Sequence, residues 1–213
     1  MAISTLSRFT VPLASDASSS SQGLLMPKLK YRFRVLLVGF GAAGTVTTEL
    51  TKQVKDATRP KVSFEEITLD VYNSKVYLAG KHTWETMTLT LRDDASGNVQ
   101  RLVGQQLQKQ LDFYEQAGAA SGQDYKFTTK IEVLDGGNGA QAPNILETFE
   151  VYGCFVQNAD YGDLNYATNE EATVALTLRF DNAIQYKGGV VDGIGRTIGT
   201  RTLGTATTGG GNI

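Results

Sequence analysis

Thr173-Val174-Ala175-Leu176-Thr177-Leu178-Arg179-Phe180 alternates polar and apolar side chains, the period at which successive residues point to opposite faces of a pleated strand. One face of such a strand is apolar enough to be buried, and the other carries Thr and Arg to water. The same pattern returns in Met87, Leu89 and Leu91, which alternate with Thr86, Thr88 and Thr90. It recurs in Phe127, Ile131 and Val133, and again in Phe149, Val151 and Phe155. Tyr31 to Phe40, Lys61 to Tyr72 and the shorter Lys75 to Leu78 add strand-like stretches, set apart by Gly, Asn and Pro. These strands predict a mainly β chain, a β-sandwich or barrel-like subunit with many half-buried strands.

One segment changes period. Val99, Leu102, Val103, Leu107, Leu111 and Tyr114 recur at helical spacing, which predicts one amphipathic helix, about 97–116, lying on the sheet. Gln106 and Gln110 fall inside its apolar arc and read as an edge that faces water or a neighbour. Arg101, Gln105, Gln108 and Asp112 occupy the exposed arc. Gly104 inside the helix costs about 1 kcal/mol relative to Ala, which points to a close backbone approach there.

Both ends read as arms. Residues 1–27 are rich in Ser and Ala, with the run Ser18 to Ser21, and from Lys187 to Ile213 glycine recurs nine times. The expected organisation is an arm at 1–27, a β domain at 28–186 and a glycine-rich arm at 187–213, with both arms mobile in a free subunit and ordered by neighbours.

Composition narrows function. A balance of 20 Lys+Arg against 22 Asp+Glu leaves a formal charge of -2, so no bulk basic field exists to hold a phosphate backbone tightly. The single Cys154 supports neither an intramolecular disulfide nor a Cys-rich zinc site, and it sits in an apolar strand-like run as a small core residue. Val35 to Ala43, the longest apolar run, falls far short of the roughly 20 residues a membrane helix needs. Arg8 comes late, and Pro12 and Ser15 interrupt the apolar residues after it, so no secretory signal is expected.

Gly39-Phe40-Gly41-Ala42-Ala43-Gly44 spells GxGxxG after the strand-like Arg34 to Val38, the arrangement that cradles a pyrophosphate in dinucleotide-binding proteins. That chemistry needs a helix starting at the third glycine and an acid about twenty residues on, for which Glu65 or Glu66 would serve. Thr45-Val46-Thr47-Thr48 is β-branched and favours a strand, and Pro60 interrupts before any second βα unit. A glycine-rich turn or bulge is the better reading, with no cofactor.

Other chemistry is thinner. His82, the one histidine, reads as a turn residue beside Trp84. Asp93-Asp94 and Glu170-Glu171 read as solvated charges at strand ends, and Asp135-Gly136-Gly137-Asn138-Gly139 as a hairpin loop lacking the spaced acids of a calcium loop. No catalytic or metal residue is nominated.

The stretch Lys75-Val76-Tyr77-Leu78-Ala79-Gly80-Lys81-His82-Thr83-Trp84-Glu85-Thr86-Met87-Thr88-Leu89 resembles a recurring segment of contractile-phage tail tube proteins, in which a short strand runs into Ala-Gly, a charged turn and a Thr-rich strand. Arg92-Asp93-Asp94, the single helix with its Gln-rich face, and a closing strand similar to Glu171 to Ala183 come next in the family's order, so the resemblance covers roughly 28–186. It implies a structural subunit without enzymatic activity, assembling into stacked six-membered rings around a hollow conduit. Implied partners are further copies of the chain and the tail sheath, baseplate, tape measure and tail terminator proteins. Phage DNA would pass through the lumen without specific binding, and the setting would be the virion, assembled in the host bacterial cytoplasm, with no membrane. The helix would stand outside the pore. The stretch from Thr45 to Lys61, the glycine-rich turns and the arms would be free to reach the next ring.

A tube of a related injection device (type VI secretion, a contractile bacteriocin or a noncontractile tail) shares these features. From other classes come a dinucleotide-binding enzyme using Gly39, Gly41 and Gly44, and a monomeric carbohydrate-binding sandwich stacking sugars on Trp84 and tyrosines. Calorimetric titration with NAD, NADP and FAD is expected to show no saturable binding tighter than about 100 μM; binding in that range that Gly41→Val abolishes would put the enzyme first.

Overall fold

In the computed structural model, residues 27–42, 48–136, 142–167 and 169–196 are described. Residues 27–32 belong to a unit of their own, where the Arg32 amide donates to the Leu29 carbonyl (3.2 Å) and the Arg32 guanidinium lies over the Tyr31 ring. Most of the predicted arms lies outside the described residues.

From Phe33 onward the chain is mainly β. Its elements are β1 (Phe33–Val38), α1 (Thr48–Gln53), β2 (Val54–Ala57), β3 (Val62–Val71), β4 (Ser74–Trp84), β5 (Met87–Arg92), α2 (Asn98–Gln110), β6 (Leu111–Asp112), β7 (Ala117–Gly118), α3 (Gly122–Tyr125), β8 (Phe127–Leu134), β9 (Ile145–Asp160), β10 (Thr173–Arg179), β11 (Asn182–Lys187) and β12 (Val190–Val191). Antiparallel pairing runs β1-β8-β9-β10-β5-β2, with β11 on β9 and β12 on β11.

The alternating stretches become facing rows. Leu176 of β10 pairs with Leu89 of β5, Val174 with Leu91 and Leu178 with Met87, and all six side chains are buried. Val35 and Leu37 of β1, Ile131 of β8 and Phe149 and Val151 of β9 join them in one core. Burying a Leu or Val side chain is worth about 1.5–3 kcal/mol.

β9 serves both halves of this core. Up to Cys154 it pairs with β8 on one side and β11 on the other; beyond that it pairs with β10. The turn between the two regimes falls at Gly153, where φ is +66° and where any Cβ would overlap the Asp181 carboxylate. Asp181 is held there by its amide, which donates to the Tyr152 carbonyl (3.0 Å), and by Lys126 Nζ at 2.6 Å from its Oδ2. This corner shifts the side-chain period. Val151 points inward as expected, but the next inward residues are Cys154 and Val156, and Phe155, expected inside, is only half-buried and lies edge-on to Tyr125. The thiol of Cys154 donates to the Val151 carbonyl, and burial pushes its pKa up to about 11.

The helix lies where helical spacing put it but ends at Gln110, not 116. Leu111 is already extended and pairs with Gly118, and the Asp112 carboxylate accepts from the amides of Glu115 and Tyr114, a local turn that competes with further helix. Val99, Leu102 and Val103 are buried, and so is Gln106. The two glutamines are engaged with backbone of their own chain, Gln106 fully buried and Gln110 half-buried. Gln106 accepts from the Gly41 amide (3.0 Å) and donates to the Tyr125 carbonyl (2.6 Å). Gln110 takes both the amide and the carbonyl of Val156, at 2.9 Å each, as a neighbouring strand would. Gly104, expected at a close approach, has open space where a Cβ would stand.

Other segments also depart from expectation. Thr48 starts α1 rather than a strand, and Thr48 to Lys61 does not reach outward: Leu50 is buried, β2 pairs with β5, and Thr58 bonds Thr88. The strand expected at Lys75 to Leu78 extends from Ser74 to Trp84. Val190–Val191 folds back on β11, and the Gln185 amide donates to the Ile194 carbonyl (2.9 Å).

Gly153→Ala is expected to cost more than about 1 kcal/mol in urea unfolding, since it meets both a positive φ and the Asp181 carboxylate. Gln110→Ala is expected to destabilise by roughly 1–3 kcal/mol, by orphaning two groups of Val156, whereas exposed Gln108→Lys stays within about 0.5 kcal/mol. Leu176→Lys places an unpaired charge in the core and is expected to prevent folding altogether, read by circular dichroism.

Candidate assembly surfaces

The glycine cluster has no free cradle in its described part. Gly39 and Gly41 take φ values of +82° and +76°, and the turn they make drives Phe40 into the core, edge-on to Phe127 at 4.9 Å. The Gly41 amide is taken up by Gln106, and Lys109 Nζ donates to the Gly39 carbonyl (3.2 Å). Gly44 lies outside the described residues. Glu65 and Glu66 are on β3, in a separate two-stranded sheet, so the acid and the glycines sit on different sheets.

The remaining nominated polar residues serve local structure. The Asp94 carboxylate accepts from Ser96 Oγ and from the Val99 amide (3.1 Å) at the start of α2, bonds that hold its pKa below the usual range. Glu171 bridges Lys55 (2.7 Å) and Arg92 (3.0 Å), tying the approach to β10 onto β2 and β5. Asp135 closes the β8–β9 connection by accepting from the Asn144 amide at 2.9 Å; Gly137 to Gly139 lie outside the described residues. Among the described residues no group of three or more His, Cys, Asp or Glu could hold a metal ion.

The outward faces of the sheet differ. Across β1, β8, β9 and β11, Arg34 pairs with Glu132 and Lys130 with Glu150, while the Tyr152 hydroxyl donates to Glu150 and lies 3.3 Å from that of Tyr186. Burial pushes the Glu150 carboxyl up, but Lys130 and Tyr152 more than reverse this; the bond to Glu150 in turn raises the Tyr152 phenol. These charges satisfy one another. Across β5 and β10 the middle outward positions carry Thr88, Thr90, Ala175 and Thr177, short side chains without charge, and the arginines Arg92 and Arg179 stand at the strand ends.

The least covered surface is the β3–β4 hairpin. It forms a sheet of its own, and every residue of β3 is exposed. Its register places Ile67 opposite Leu78 and Leu69 opposite Val76, so these side chains share one face, continued at the tip by Val71. Each is between 45% and 51% exposed. The opposite face carries Glu66, Thr68, Asp70, Lys75 and Tyr77. His82 is not in a turn but on β4, opposite Phe64, with Trp84 edge-on at 6.2 Å. Trp84 itself is buried against Phe180 at the hairpin's base, so it offers no sugar-stacking platform. Alternation in β3 was legible in the sequence; that nothing covers its apolar face was not.

No family model matches the sequence, and no curated protein matches it. Solved structures do. A chain of the anti-feeding prophage baseplate, 6-fold symmetrised, aligns with a TM-score of 0.55 at 12% identity over 77% of this chain and 98% of that one. A chain of the sheath/tube terminator of an extracellular contractile injection system, PVC, aligns at 0.54 and 16% identity over 77% and 99%. A chain of the PVC sheath-tube complex in its extended state aligns at 0.53 and 15% identity over 84% and 99%. This chain therefore has the fold of the tail tube and terminator proteins of contractile injection systems.

Proposed function

We propose that this protein is a structural subunit of a phage tail tube, without enzymatic activity, which stacks as six-membered rings into a hollow conduit for DNA. The observation that carries this reading is the β3–β4 hairpin: a long ribbon with one continuous apolar face, uncovered in the single chain, on a fold shared with tube chains. A two-stranded ribbon is marginal alone in water, and an exposed apolar face of this kind marks a contact surface. Further copies of the chain cover it in a tube. Sheath, baseplate, tape measure and terminator proteins are the proposed partners at the outside and the ends. The virion is the proposed setting, with assembly in the host cytoplasm. With a formal charge of -2, the repeated subunit does not hold a passing phosphate backbone.

The neighbouring structures favour a second reading, the tube of an extracellular contractile injection system, and the content of purified tubes separates the two. Negative-stain microscopy of the purified protein is expected to show six-fold tubes lined by strands, with α2 outside the pore. A particle that stays monomeric across concentration and salt, or a pore lined by α2, contradicts the proposal. Leu69→Asp, on the exposed ribbon, is expected to change unfolding by no more than about 0.5 kcal/mol while abolishing long tubes.

A further inference from the structure

The hairpin turns at Tyr72-Asn73, since Val71 pairs with Ser74. Tyr72 has φ +44° and is fully exposed; Gln116 is the other non-glycine residue with positive φ among the described residues. With positive φ at the first loop position and not the second, the turn is of the kind that asks for glycine there. A tyrosine bears the left-handed strain and gains no contact within its own chain, a broken local rule of the sort that marks function.

A receptor for it exists at the other end of the same ribbon. Beside the hairpin's base, Arg59, Pro60 and Lys61 face Phe149, Gln185 and Ile194 across an open groove of ≈ 460 Å³. Its floor is apolar. Arg59 is an exposed lining residue with no ion-pair partner among the described residues, a cation available to an aromatic ring that enters. The tip cannot reach this groove in its own chain, because the ten residues of β3 at roughly 3.3 Å each set the two ends about 30 Å apart.

We propose that Tyr72 at the hairpin tip of one copy docks into the Arg59–Lys61/Phe149/Ile194 groove of a second copy. Tip and groove are different surfaces at opposite ends of one element, so the contact is head-to-tail, the class that closes into a ring or continues from ring to ring according to the rotation between copies. The proposal rests on the tube reading and specifies one contact within it.

Tyr72→Gly separates contact from turn geometry, because glycine relieves the strain while deleting the ring. The variant is expected to unfold at the same or higher temperature than wild type, and to need about tenfold more protein to form tubes, whereas Tyr72→Phe assembles normally. Assembly of Tyr72→Gly at the wild-type concentration overturns the proposal. Should Tyr72→Gly fail to fold, the double variant Tyr72→Cys with Ile194→Cys decides: a ladder of disulfide-linked oligomers under oxidation supports the docking, and its absence in intact tubes overturns it. The native Cys154 is buried and does not compete. If wild-type protein forms no oligomer at all, the tube reading fails and the docking with it; tubes of wild type that Tyr72→Gly reproduces remove the docking alone.

Discussion

The fold depends on one tight contact, the Asp181 side chain lying against the backbone of Gly153. β9 and the successive strands β10 and β11 form a ribbon that must bend so that its two halves can face each other over a shared core. Bending without losing the ladder requires a residue with positive φ on one strand and room for the partner to cross. Gly153 supplies both, and Lys126 neutralises the carboxylate that crosses. Everything inward of the bend, including Cys154 and Val156, takes its facing from it.

The helix then solves the problem the bend creates. Where β9 leaves β8, the amide and carbonyl of Val156 lose a strand partner, and buried backbone groups without partners are costly. Gln110 replaces that partner with a side-chain amide, and Gln106, one turn earlier, does the same for Gly41 and Tyr125. A primary amide carries one acceptor and two donor hydrogens on neighbouring atoms, the chemistry of a peptide edge. Two polar residues on an apolar helix face are therefore part of the packing, and the Gly41 amide of the glycine turn is consumed as one of their ligands.

Compared with this closed core, the β3–β4 ribbon is built for a partner. Its strands satisfy each other and nothing else, one face is apolar, the other charged, and its tip holds a strained tyrosine. The insertion lies between β2 and β5, which pair with each other, so the core keeps its ladder whatever the ribbon contacts. Assembly can use the ribbon without disturbing the fold.

Sequence alone determined the strand content, the facing of β5, β8 and β10, and the presence and start of one helix, because each is a property of local period and propensity. The order of segments from Lys75 to Ala183 was enough to suggest the tube fold that the structure shares. Tertiary structure decided the rest. Phe155 lies off the core because Gly153 shifts the register, and that shift depends on Asp181, almost thirty residues away in sequence. Gln106 is buried and Gln110 half-buried on the core side because the backbone groups that Gly41 and Val156 offer them lie 65 and 46 residues away. The apolar face of β3 reads like any half-buried strand in sequence, and only the fold shows that no second layer comes to cover it, since alternation specifies a face to bury and not what buries it.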